Sequence, residues 1–209
     1  MQCAIFSTDA VVSSTHHIER VIMEKKAPRL LRQRILDDRG TPYGKTWVER
    51  DFEMGDGKEV SSLCVATPHK DPSIIFPITN DGIVLLVRQF RFAVNAWVYE
   101  LPGGVPKLGQ TWREVAQEEL LEEVGAVAEA MRIIGNPLPF NPALQDARAI
   151  AILATGCRVV RPQTLGESET MDVQKVTIAQ FRANLKSGKY CDAKTVAIGY
   201  LALDHLGLL

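Results

Sequence analysis

Four glutamates fall within Glu118-Glu119-Leu120-Leu121-Glu122-Glu123, just ahead of Val124-Gly125, and the stretch contains no lysine. On a helix turning about 100° per residue, Glu119, Glu122 and Glu123 share one arc of about 100°, while Ala116, Leu120, Leu121 and Val124 make the apolar side. Like charges three and four residues apart destabilise a helix by a few tenths of a kcal/mol each. A divalent cation on that face would relieve them. Oxygen donors with no His or Cys nearby suit Mg2+, with Mn2+ as a second choice, rather than zinc. A solvated acidic helix face is the other reading of the same residues.

Ahead of this stretch runs Tyr99-Glu100-Leu101-Pro102-Gly103-Gly104-Val105-Pro106-Lys107-Leu108-Gly109. Its glycines let backbone carbonyls and amides come close to a metal and a phosphate. From a strand, a glycine loop and an acidic helix in succession a pyrophosphate site is expected.

The elements that must position these residues follow from pattern. Thr111-Trp112-Arg113-Glu114 is a capping box and Gly125 a helix stop, so a helix is expected over 111–124. Short β-type runs are expected at 46–52, 60–66, 74–78, 82–92 and 97–101, then at 130–134, 147–153 and 171–176. Helices are expected near 178–186 and 192–206, and no element before Lys45. Strands with interspersed helices but no regular βαβ alternation indicate a mixed α/β (α+β) sandwich.

Composition narrows the function. The 209 residues are 46% hydrophobic and 23% charged, as in an ordinary globular protein, and 24 Lys and Arg against 25 Asp and Glu leave a net charge of −1. That balance offers no broad footprint for nucleic acid or an anionic membrane. The longest aliphatic run, 83–87, is far short of the roughly 20 residues of a membrane span. The first residues lack a basic region and Asp9 breaks their apolar stretch, so a cytoplasmic protein is expected. Cys3, Cys64, Cys157 and Cys191 are scattered, as reduced packing residues would be. Gly40-Thr41-Pro42-Tyr43-Gly44-Lys45-Thr46 has three residues between its glycines where a P-loop needs four.

The span from Gly104 to Ala126 resembles the signature of the Nudix hydrolases: Gly, five residues, Glu, seven residues, then Arg-Glu-apolar-any-Glu-Glu-any-Gly-apolar. Gly104, Glu119, Leu120, Glu122, Glu123, Gly125 and Ala126 match, whereas Gln110 and Glu118 replace the signature's Glu and Arg. The resemblance implies a Nudix α/β/α sandwich with a mixed sheet. It also implies Glu119, Glu123 and Glu122 as metal ligands, completed by the Gly103 carbonyl. Glu118 cannot donate as arginine does, and an amide donation from Gln110 to Glu118 would compensate.

Val84 to Phe92 and Tyr99 to Gly104, with the ending Ser187 to Thr195, are similar to the ADP-ribose pyrophosphatase branch. That similarity implies an N-terminal extension, 1–70, whose small antiparallel sheet forms a homodimer, and a hydrolase domain over 71–209. The implied chemistry is Mg2+-dependent hydrolysis of a nucleoside diphosphate sugar, ADP-ribose first, to AMP and ribose 5-phosphate. Arg88, Arg91, Glu100, Gly104 and Trp47 are the candidate substrate contacts, either arginine being able to reach a diphosphate from a bulge or strand end. The acidic loop at 165–170 carries the candidate bases, Glu169 first and Glu167 second, with Glu122 shared between metal and catalysis. Another nucleotide sugar, such as a GDP-sugar, and a catalytically impaired Nudix-fold module that binds a nucleotide or protein are the alternatives.

Overall fold

The computed structural model describes residues 27–37, 45–67, 71–166 and 170–209. Glu167 and Glu169, and most of the near-miss P-loop, lie outside them.

Three antiparallel strands, β1 (Arg29–Asp37), β2 (Thr46–Glu53) and β3 (Glu59–Ala66), form a separate N-terminal sheet. No element is expected at β1 from sequence, because its apolar residues do not alternate and its charges find partners only across the sheet. Arg29 pairs with Glu53, Arg32 with Asp51 and Arg34 with Glu49 on β2. Asp146 ties this sheet to the rest of the protein: its carboxylate accepts from Arg50 Nη2 at 2.6 Å and from the Thr67 N–H at 2.9 Å.

The remaining strands are β4 (Ser73–Pro77), β5 (Ile83–Arg91), β6 (Ala96–Glu100), β7 (Gly103–Gly104), β8 (Ala126–Val127), β9 (Ala130–Ile133), β10 (Leu138–Pro139), β11 (Arg148–Thr155), β12 (Arg158–Val159) and β13 (Met171–Thr177). The helices are α1 (Trp112–Glu123), α2 (Ile178–Lys186) and α3 (Ala193–His205). One sheet runs β10-β11-β4-β7, with β9 also on β11; another runs β13-β5-β6. The β11–β4 pair is parallel and the other pairings are antiparallel, which gives a mixed α/β fold.

Strand alternation separates two cores. Val84 and Leu86 of β5 join Ile74 and Phe76 of β4 against Phe181 of α2 and Ile198 and Leu203 of α3. Leu85 and Val87 join Ile75 against Ala116 and Leu120 of α1 and Val124 at its end. Helix α1 therefore covers one side of the sheets and α2 with α3 the other, in an α/β/α sandwich.

The start of α1 is secured by the expected capping box: Thr111 accepts from the Glu114 N–H, and Glu114 accepts from the Thr111 N–H at 2.8 Å. At its other end Gly125 has φ +66°, and a Cβ there would overlap the Arg161 carbonyl. Only glycine meets both conditions.

Candidate active site

Strand β7 is two glycines long. It pairs with β4, Ser73 opposite Gly104 and Ile74 opposite Gly103, and this lays bare backbone against the middle of α1. Glu123 is 8% exposed, and its Oε2 accepts the Gly103 N–H at 2.9 Å. A Cβ on Gly104 would overlap the Glu119 carboxylate, so the helix approaches this closely only because position 104 has no side chain. Glu122 is exposed, and its backbone carbonyl accepts the Thr164 N–H at 2.8 Å. Glu119 and Glu123 are thus brought onto the glycine strand while Glu122 stays on the rim.

Among the described residues, no three His, Cys, Asp or Glu side chains already converge as a metal cage. The donor set nonetheless suits a hard divalent cation: two carboxylates packed on glycine backbone, a third one exposed beside them, and oxygen donors throughout.

The alternation of β5 decides between the two candidate arginines. Val87 faces α1, so Gln89 and Arg91 follow on that face and Arg88 lies on the other. Arg91 forms a two-pronged pair with Glu100, Nε to Oε1 at 2.5 Å and Nη2 to Oε2 at 2.6 Å. Glu100 is only 4% exposed. Its hydrogen bonds hold the Arg91 pKa above the ordinary value against the effect of burial, and the charges of Glu100, Glu123 and Asp192 add to that. Arg88 instead pairs with Asp172 at 2.8 Å and lies 4.7 Å over the Trp97 ring. Trp47 lies on β2 of the N-terminal sheet and is 40% exposed.

Three further residues join this site from the ending 187–195, whose resemblance is legible in the sequence although the sequence alone assigns none of them a role. Asp192 caps α3, accepting the Thr195 N–H at 2.9 Å, and Thr195 Oγ1 in turn accepts the Leu101 N–H at 2.9 Å. Lys194 Nζ is 2.8 Å from Asp192 and 3.8 Å from Glu100. The first turn of α3 is thereby tied to the residues leading into the glycine strand. The Asp-x-x-Thr cap is legible as a helix start, but nothing local says which backbone Thr195 receives.

Residues 68–197 match the NUDIX domain model. The chain belongs to the Nudix family. It is 29% identical over 157 residues to the ADP-ribose pyrophosphatase of Bacillus subtilis (strain 168), an alignment covering 74% of this chain and 83% of that protein. It is 28% identical, over the same shares of each, to the methanol dehydrogenase activator of Bacillus methanolicus. A crystal structure of an ADP compounds hydrolase superposes with a TM-score of 0.72 at 19% identity, covering 89% of this chain and 99% of that one, which establishes the shared fold.

The two departures from the Nudix signature meet in space. Gln110 Nε2 donates to Glu118 Oε2 at 2.6 Å, the compensation expected from the residue types. Lys107 Nζ pairs with the other oxygen, Oε1. These bonds, that of Lys107 first, hold the Glu118 carboxyl below its ordinary pKa. Fold, signature and family together make the protein a Nudix pyrophosphohydrolase.

Proposed function

We propose that the protein hydrolyses the diphosphate bond of nucleoside diphosphate sugars in a Mg2+-dependent reaction, with ADP-ribose, cleaved to AMP and ribose 5-phosphate, as its first substrate. The observation that carries this reading is the packing of Glu119 and Glu123 on Gly104 and Gly103, on the side of the sheet that also presents Arg91. The similarity to a protein named ADP-ribose pyrophosphatase favours that substrate over a GDP-sugar.

Glu119 and Glu123, with Glu122 from the rim and the Gly103 carbonyl, are the groups that would hold the cation. When bound, the cation supplies neutralisation of diphosphate oxygens and activation of the attacking water. Arg91 is kept charged and oriented by Glu100, and it offers a planar fork of donors to the diphosphate. Preset donors of this kind are usually the dominant contribution to phosphoryl transfer. Gly104, with no side chain, leaves room for the Glu119 carboxylate beside it and offers the substrate its backbone. The loop carboxylate Glu169, with Glu167 as second choice, is assigned the removal of the water proton. Arg88, bonded elsewhere across the sheet, is left out of this assignment.

The N-terminal sheet suits a homodimer. Leu30 and Ile35 are each more than half exposed on one face of it, where Val60 is exposed as well, an apolar surface of the kind that marks an interface. Residues 1–70 would then be the dimer-forming part and 71–209 the hydrolase domain, with Trp47 available to stack on the nucleobase. Light scattering at micromolar concentration should return twice the 23.1 kDa chain mass; a monomer would remove this part of the reading. Cys64, Cys157 and Cys191 are free thiols, and burial pushes the Cys157 thiol up to about 11, which keeps it protonated as a packing residue.

The test is AMP release from ADP-ribose, beside a panel of other nucleoside diphosphate sugars including GDP-sugars, with and without Mg2+. Metal-dependent cleavage with ADP-ribose preferred is the expected result. Silence across the panel from a folded protein overturns the proposal and leaves the binding module.

A further inference from the structure

Lys107 occupies a position that the Nudix signature leaves open, yet it supplies the positive charge that the signature places on the helix. The turn it begins is closed on itself: Gln110 Oε1 accepts the Lys107 N–H at 2.8 Å, and the Gln110 N–H donates to the Lys107 carbonyl at 3.1 Å. Two side chains of this turn then reach one carboxylate on α1, Lys107 at Glu118 Oε1 and Gln110 at Oε2. Glu118 directly precedes Glu119, whose carboxylate fills the space beside Gly104, and only Val105 and Pro106 separate Gly104 from Lys107. Slack in the turn is therefore transmitted within two residues to the contact between the glycine strand and the carboxylates.

We propose that Lys107, Gln110 and Glu118 form a charge-inverted latch, with the cation on the loop and the anion on the helix, that positions Gly103 and Gly104 against Glu123 and Glu119. All three are positioning residues and none touches the reacting atoms. The latch rests on the site reading given under Proposed function. It also means that Glu118 is no defect: restoring the signature's arginine there alone sets a guanidinium against Lys107 and opens the turn. The Lys107 side chain is 73% exposed, so the pair contributes little to folding stability and its loss is readable in a folded protein.

The experiment is a charge-exchange cycle in the full chain: Lys107→Glu, Glu118→Lys and the double variant. Three readouts are taken: kcat and KM on the substrate found active, Mn2+ affinity of the substrate-free protein by electron paramagnetic resonance, and melting temperature. Each single variant is expected to lose about tenfold in kcat and in Mn2+ affinity, with KM within about twofold. The double variant, which regains the ion pair but not the Gln110 bond, is expected to recover to within about threefold of the natural protein.

Melting temperatures stay unchanged throughout if the residues position rather than fold. Glu118→Arg alone should likewise lose about tenfold, and adding Gln110→Glu should restore it by supplying a partner for the new guanidinium. Unaffected single variants, additive losses in the double, or a large gain from Gln110→Glu with Glu118→Arg would each overturn the latch. Coupling in Mn2+ affinity without cleavage of any nucleotide sugar would leave the latch standing and reject the nucleotide-sugar reading; cleavage with additive losses would do the reverse.

Discussion

Glu123→Gln should lower Mg2+-dependent kcat by about 10²- to 10³-fold, the scale on which a preset electrostatic group at a reacting centre is worth its charge. The substitution keeps shape and most of the packing. The amide oxygen can still accept the Gly103 N–H that Glu123 now holds at 2.9 Å, so the glycine strand stays in place. It removes one negative charge from the donor set and one of the three carboxylates that support the charge of Arg91. It also relieves a like-charge contact one helical turn from Glu119, a gain of a few tenths of a kcal/mol to the helix. The melting temperature should therefore move by less than about 3 °C while turnover collapses. Steady-state kinetics across a Mg2+ series, with a thermal melt alongside, separate the two effects. Full turnover in this variant would show that the cation is held elsewhere.

Gly104→Ala should cost nearly as much by a different route. A methyl at position 104 would occupy the volume of the Glu119 carboxylate, whose terminal atoms can swing away because they end a side chain. The backbone then survives and the ligand is displaced. A displacement of about 1 Å at a reacting centre is enough for a loss of about 10²-fold in kcat, with weaker metal binding and a small change in folding stability. Gly103→Ala makes the informative contrast, because its methyl would run into the Ser73 carbonyl and the Ile74 Cα, which are backbone and cannot swing aside. That variant should lose stability together with activity. Urea denaturation and kinetics on both variants test the pair, and Gly104→Ala within about twofold of normal turnover would remove Glu119 from the metal site.

The latch alters how the signature itself is judged. Gln110 and Glu118, compared residue by residue with the pattern, suggest an impaired enzyme. With Lys107 at the other carboxylate oxygen, they form a connection of the same kind with its polarity reversed. A position-specific pattern reads residue types at specified places, while a charge can be supplied from an unspecified neighbour that the turn brings within reach.

Local order made much of this protein legible. The carboxylate face of α1, its capping box, the glycine loop ahead of it and the helix at Ile178–Lys186 all follow from contacts between residues at most four apart, which periodicity and capping rules describe directly. The expected donation from Gln110 to Glu118 spans eight residues and was still recoverable, because the helix and the loop beside it are neighbours in the chain.

What only the tertiary structure decided depends on residues distant in sequence. Strand β1 is formed by its backbone ladder with β2, which sets Arg29, Arg32 and Arg34 opposite carboxylates, and β4 pairs with β11 across more than seventy residues. Arg91, rather than Arg88, reaches the carboxylate side because strand alternation assigns opposite faces, and only the packing of Val87 against α1 says which face is which. Thr195 meets Leu101 across a sequence separation of 94. The chain pattern determined which chemistry the glutamate helix can support; long-range packing chose the arginine, the glycine contacts and the helix end that complete the site.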